Sequence, residues 1–182
     1  MEEKIVYFEK PGKGNTTEVI QLVNERAQAR GINRFVVAST RGSTAKDFME
    51  AVTGTDHRLV IVPWQFGFKG EDQPFPQELV DELRAKNHQV HFGTMLFHTT
   101  DFYGTSAPQA MANLLRTFGQ GTKVCLEILL MACDGGCIRI GEKVIAVAGT
   151  GSGADTALVA TAAPTSRLGS LRIHEIICKP VV

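Results

Sequence analysis

The sequence has no excess charge of either sign: 19 Lys and Arg balance 19 Asp and Glu. A broad basic surface is therefore not expected, which argues against a nucleic-acid partner and against docking on an anionic membrane. A local basic pocket is compatible with the same balance. No apolar run is long enough to span a bilayer. Met1-Glu2-Glu3-Lys4 passes almost directly into a strand-like run, so no export signal is visible and a cytoplasmic location is expected. Cysteine is scarce, and Cys125, Cys133, Cys137 and Cys178 all fall late in the chain in apolar or glycine-rich surroundings. Reduced, buried thiols are expected, because Cys133-x-x-x-Cys137 matches neither a zinc nor a redox spacing.

Recognisable catalytic motifs are also missing. There is no nucleophile elbow, kinase signature, Walker loop or His-rich metal helix. His88, His91 and His98, with Asp101, lack a shared face and a further Cys or carboxylate, so they read as structural or surface residues and no metal is expected. His98 and Tyr103 are placed to cover a ligand from their loop. The residue set is better equipped to hold a molecule than to transform it, and whether the chain is an enzyme stays open.

What the chain does have is an alternation of strand and helix signals. Lys4–Phe8, Arg34–Ser39, Arg58–Pro63, Gln89–Thr94, Lys143–Gly149 and Leu171–Lys179 are rich in β-branched and apolar residues. Phe35-Val36-Val37-Ala38 and Leu59-Val60-Ile61-Val62 are apolar throughout, as strands covered on both faces are in parallel sheets. Arg172-Ile173-His174-Glu175-Ile176 alternates and reads as an antiparallel edge strand. Helices are expected over Asn15–Gly31, from Ser43 or Thr44 to Gly54, over Pro76–Asn87, after Ser106, over Thr122–Cys133 and over the small residues Ala154–Ala163. Asn15 with Glu18, and Ser106 with Gln109, have capping-box spacing. Thr122–Cys133 is apolar nearly all round and should be buried. The expected product is one domain over residues 1–182, an α/β fold built as a three-layer α/β/α sandwich on a mostly parallel mixed sheet. Right-handed crossovers then collect the strand-to-helix loops at one sheet edge, where ligands of such folds bind.

Three loops at that edge are candidates. They are Phe8-Glu9-Lys10-Pro11-Gly12-Lys13-Gly14-Asn15-Thr16-Thr17, Ala38-Ser39-Thr40-Arg41-Gly42-Ser43-Thr44-Ala45, and Ala148-Gly149-Thr150-Gly151-Ser152-Gly153-Ala154-Asp155-Thr156. Each is read as feeding a helix start, where unpaired N–H groups and a partial positive charge favour an anion. Glycine lets a phosphate approach the backbone and hydroxyls donate to its oxygens. Any one such loop is explained as well by capping alone, but three together point to a phosphate-bearing ligand. Gly149-x-Gly151-x-x-Ala154 also fits a dinucleotide fingerprint variant, yet only one strand follows it, and Glu175, at ribose-contact distance, sits inside that strand. Trp64, Phe66 and Phe68 suit stacking on a flat ring, sealing the core edge or a subunit contact. Glu9 and Lys10 offer acid–base groups marked only by their position.

Ser39-Thr40-Arg41-Gly42-Ser43-Thr44-Ala45, after the strand Phe35-Val36-Val37-Ala38, resembles the phosphate-cradling turn in the C-terminal α/β domain of pyruvate kinase. Tyr7-Phe8-Glu9-Lys10-Pro11-Gly12, with Asn15-Thr16 and the Gly149–Thr156 loop, is similar to a stand-alone prokaryotic family of that fold. That family is common in archaea, and some of its members carry flavin mononucleotide (FMN). The resemblance implies a mixed five-stranded sheet with the last strand antiparallel and Lys4–Phe8 as an addition. It places the ligand's phosphate on Ser39, Thr40, Gly42, Ser43 and Thr44, with Arg41 beside it. It puts the ring against Phe8 or the Phe92–Phe97 stretch that contains Thr94, and Gly149, Thr150, Gly151 and Ser152 on the other side, with Glu9, Asn15 and Thr16 completing the site. The catalytic barrel of pyruvate kinase is absent, so its kinase activity is not implied. Related domains self-associate, so a homo-oligomer is expected. The readings are an FMN-binding protein, a non-catalytic regulator that binds a sugar phosphate or nucleotide, and an interaction module.

Overall fold

The all-apolar runs form the centre of a mixed sheet, where the strands are covered on both faces. A computed structural model describes residues 3–181. The strands are β1 (Val6–Phe8), β2 (Arg34–Ala38), β3 (Arg58–Val62), β4 (Gln89–Val90), β5 (Lys143–Ala148), β6 (Thr156–Thr161) and β7 (Arg172–Pro180). They lie in the order β1-β7-β6-β5-β2-β3-β4, a seven-stranded sheet. β2 pairs parallel with β3 and β5, β3 with β4, and β1 with β7; β6 runs antiparallel to both its neighbours. The helices are α1 (Thr16–Arg30), α2 (Ser43–Ala51), α3 (Gln77–Ala85), α4 (Thr100–Tyr103), α5 (Ala107–Arg116) and α6 (Gln120–Asp134).

Alternation along β2 shows the three layers. Phe35 and Val37 join one core with Val19, Val23, Phe48 and Leu83 from α1, α2 and α3. Val36 points the other way, into a second core with Leu129 and Ala132 of α6. Successive side chains of a strand face opposite sides, so a strand buried on both must be apolar at every position. α1 ends as its sequence requires. Gly31 adopts a left-handed conformation (φ 62°), and its N–H and that of Ile32 both reach the Ala27 carbonyl. Among the described residues no helix is long and apolar enough to cross a membrane.

Three expectations are corrected. The small-residue segment Ala154–Ala163 is not a helix. Thr156–Thr161 is the strand β6, inserted between β5 and β7, and the sheet accordingly has seven strands where the sequence offered six runs and the resemblance implied five with Lys4–Phe8 added. A short run that is apolar throughout fits a buried strand as well as a buried helix. The last strand pairs antiparallel with β6 as expected, but β1 covers its outer side, so it is second from the edge. Its alternation has another origin: Arg172, Ile173 and His174 are exposed, while Glu175 pairs with Arg26 and Arg30 of α1. The capping boxes do not form either. Neither Asn15 nor Ser106 makes a side-chain cap, and the Asn15 amide turns instead to the carbonyls of Lys10 and Gly12.

Candidate functional site

β2, β3 and β5 end together, and beyond them lies a cleft of about 490 Å³. One wall is the β2–α2 turn, which contributes Ser39, Thr40, Arg41, Ser43 and Thr44. Ser39 Oγ accepts the Ala45 N–H at 3.2 Å. The N–H groups of Ser43 and Thr44, in the first turn of α2, have no intrahelical acceptor. Among the described residues no partner engages the hydroxyls of Thr40, Ser43 or Thr44. Gly42 enters α2 at φ 93°, and a Cβ there would lie 2.6 Å from Leu79 Cδ2. The turn is therefore pressed against α3 on one side, with its hydroxyls open to the cleft on the other.

A second wall is apolar. Trp64, Phe68, Met95, Val124, Ile128 and Met131 line it, and Trp64 meets Phe68 edge-on at 5.1 Å between ring centroids. Phe66 does not join them; it is exposed and packs on Phe92. The third boundary is the segment between β5 and β6, which contributes Gly149, Gly151, Ser152 and Gly153. Because β6 is a strand, this segment is a hairpin loop, and no helix start follows the Gly149-x-Gly151-x-x-Ala154 pattern.

The hairpin loop is bound to the first loop. Buried Asp155 accepts the N–H groups of Gly12 and Thr150 at 2.8 and 2.9 Å through Oδ2, and the Thr156 hydroxyl at 2.7 Å through Oδ1. Thr16 Oγ1 accepts the Ala154 N–H at 3.0 Å. The loops meet so closely that a Cβ on Gly153 would stand 2.4 Å from Lys13 Cα. These bonds account for residues that the sequence reading placed on the ligand and that do not line the cleft. Thr16 is engaged between the loops, Asn15 bonds to the Lys10 and Gly12 carbonyls of its own loop, and the Thr150 N–H bonds to Asp155 within the hairpin loop. Phe8 is a core residue, Glu9 and Thr94 are exposed outside the cleft, and Gly42 backs onto Leu79. Of the expected residues, Ser39, Thr40, Arg41, Ser43, Thr44, Gly149, Gly151 and Ser152 come together on the cleft.

No family model matches the chain.

The remaining boundary, from α5 and α6, went unrecognised in the sequence. It carries Arg116, Gln120, Lys123 and Glu127; His98, which the sequence placed to cover a ligand, joins them from the turn before α4, whereas Tyr103 does not line the cleft. Lys123 and Glu127 are 1% and 2% exposed and pair across one helical turn. Burial pushes the Lys123 amine below its ordinary range, with Glu127 opposing the shift. His98 is lowered mainly by burial and then by the Lys123 charge. A sequence signal existed: Lys123 and Glu127 are charged residues four apart, on one face of a helix that is otherwise apolar.

Charge on the cleft is one-sided. Among the described residues Arg41, Lys69, Arg116 and Lys123 face it, against the one carboxylate of Glu127. Glu127 is committed to Lys123; among the described residues, no carboxylate pairs with Arg41, Lys69 or Arg116. Lys69 lies over the Trp64 ring, and Arg116 donates to the neutral oxygens of Gln120 and Asn113. His88 Nδ1 accepts the Leu59 N–H at 3.3 Å, and the four cysteines are free thiols. Among the described residues no His, Cys, Asp and Glu cluster is placed to hold a metal ion.

Proposed function

We propose that the cleft binds a phosphate-bearing small molecule, with FMN the leading candidate, as the resemblance to the FMN-carrying stand-alone family implies. The observation that carries the reading is the set of cations without carboxylate partners, Arg41, Lys69 and Arg116, around open helix-start N–H groups and hydroxyls. A phosphate on Ser39–Thr44 takes donors that the protein does not use and the positive end of α2. The residues present fit a flavin. Trp64, Phe68, Met95 and Ile128 offer its ring an apolar wall, and the α6 end offers polar groups for its carbonyls. When bound, a flavin supplies hydride and electron transfer; the protein's part is to hold, orient and shield it.

A second reading, a regulator that binds a sugar phosphate or another nucleotide, draws on the polar α6 end. His98, Gln120 and Lys123 suit hydroxyl groups as well as ring carbonyls. The absorbance spectrum of the purified protein, followed by FMN titration, separates the two. A flavin spectrum or saturable FMN binding supports the first reading. A colourless protein that ignores FMN but is stabilised by sugar phosphates replaces it with the second.

The same reading keeps a cytoplasmic homo-oligomer. Phe102, Tyr103, Leu114 and Phe118 are all more than half exposed, a surface that a second copy of the chain would cover. Light scattering that finds only monomer at high concentration removes that part of the proposal.

A further inference from the structure

Glu127, Lys123 and His98 form a continuous hydrogen-bonded line at the α6 end of the cleft. Glu127 Oε1 accepts the Phe97 N–H at 2.9 Å, which anchors the turn that carries His98. Its other oxygen accepts from Lys123 Nζ. Lys123 Nζ in turn lies 3.2 Å from His98 Nε2. The first two side chains are buried, whereas His98 is exposed and lines the cleft.

The direction of each bond follows from the groups. Breaking a buried ion pair strands an uncompensated charge, so Lys123 stays an ammonium beside the Glu127 carboxylate. An ammonium has donors only. His98 Nε2 is therefore the acceptor, and a neutral ring then carries its proton on Nδ1. Every charge that bears on the ring acts in a known sense. Burial and the cations of Lys123 and Arg116 disfavour the imidazolium, and Glu127 alone favours it. Phe68 meets the ring edge-on at 4.9 Å and adds an apolar neighbour. The ring is thus a neutral donor, fixed from behind and open in front.

We propose that His98 is the fixed hydrogen-bond donor of the cleft, presenting Nδ1–H to an oxygen or nitrogen acceptor on the bound molecule, with Lys123 and Glu127 as positioning residues that fix its tautomer. The ligand class is a molecule with a phosphate at one end and an acceptor such as a ring carbonyl at the other. The inference rests on the cleft being a ligand site, not on the ligand being a flavin. The interaction is hydrogen bonding alone: Nδ1 keeps its proton and shares it with the acceptor, while Lys123 remains an ammonium that donates to Nε2 and to Glu127, so no buried charge is stranded.

The test is NMR of the histidine ring nitrogens at neutral pH, with FMN added as the probe. Lys123→Met alone strands Glu127, so the Lys123→Met/Glu127→Gln double variant is measured beside it. The expected result is a neutral Nδ1–H ring in the unmodified protein. In the double variant both tautomers should be populated, with the ring titrating closer to an ordinary histidine, and FMN should shift the His98 Nδ1 signal. An Nε2–H ring or an imidazolium overturns the proposal. So does a double variant that keeps the Nδ1–H tautomer, or FMN that saturates the cleft and leaves His98 unmoved. A ring that keeps the Nδ1–H tautomer in a protein that takes no FMN supports the fixed donor and sinks the flavin reading separately.

Discussion

Replacing Gly42 by alanine tests how the cradle is held. Two terms add. The backbone at φ 93° lies where an L-residue is strained, and the left-handed region costs roughly 1–2 kcal/mol. The new methyl would also stand 2.6 Å from Leu79 Cδ2 and 3.4 Å from Pro76 Cδ. Leu79 is packed in the core, so it cannot swing away freely, and overpacking of this kind costs about 1–3 kcal/mol. The sum is about 2–5 kcal/mol, with about 2–4 °C of melting temperature per kcal/mol in a domain of this size. Thermal unfolding followed by circular dichroism gives the shift, and denaturant unfolding gives the free energy. Leu79→Ala destabilises on its own, but it removes the clashing methyl. Combined with Gly42→Ala, it should show coupling of about 1 kcal/mol or more. A Gly42→Ala variant within about 0.5 kcal/mol of the parent would refute the reasoning, because surface glycines tolerate alanine at that level. Strict additivity with Leu79→Ala would refute the clash and leave only the backbone strain.

Two further outcomes are expected. Asp155→Ala strands the buried Thr156 hydroxyl and the part-buried Gly12 and Thr150 N–H groups, and should cost about 3 kcal/mol or more, at about 1–3 per unmet buried group and less for the two that water can reach. Asp155→Asn can keep most of the contacts and should cost less; equal losses in urea unfolding would contradict this account of the loop staple. Stability should also fall on both sides of neutral pH. His57, His88, His91 and His98 are all lowered, chiefly by burial, so the unfolded chain binds more protons in acid. Their contribution is complete above the ordinary histidine value of about 6.5 and is lost as pH falls below it. Burial raises the thiols of Cys125 and Cys178, the latter to about 12, so the folded chain binds more protons in alkali and stability declines above the ordinary thiol range. A urea midpoint that is flat from pH 5 to 10 would contradict both arms.

β2, β3 and β5 were legible because their double-sided burial leaves an unbroken apolar run, and α1 because Gly31 marks its end. β6 was not. Thr156–Thr161 is apolar and small, with no periodicity to separate strand from helix, and misreading it turned a hairpin loop into a helix start. Half of the site was legible for a physical reason as well. Ser39–Thr44 presents open hydroxyls and N–H groups, as its composition suggested. Composition does not say which hydroxyls and N–H groups are already spent between loops. Thr16 looked like a ligand contact and instead bonds to Ala154 of the hairpin loop, a partner that only the tertiary structure brings near, and the Thr150 N–H is taken by Asp155 five residues on. Lys123 and Glu127 were hidden by their neighbours: a helix that is apolar nearly all round reads as core, and its pair of charges four apart is what gives the cleft a second polar end.

The central claim is that the Ser39–Thr44 turn holds a phosphate, and the most direct test compares FMN with riboflavin, which has the same ring without the phosphate. Fluorescence titrations are run on the unmodified protein and on Thr44→Ala. Each charge-assisted hydrogen bond at a phosphate is worth about 1.5–3 kcal/mol. Riboflavin is therefore expected to bind at least about tenfold more weakly than FMN, and Thr44→Ala should weaken FMN while leaving riboflavin unchanged. FMN and riboflavin bound equally well, or an FMN affinity indifferent to Thr44→Ala, would contradict the claim.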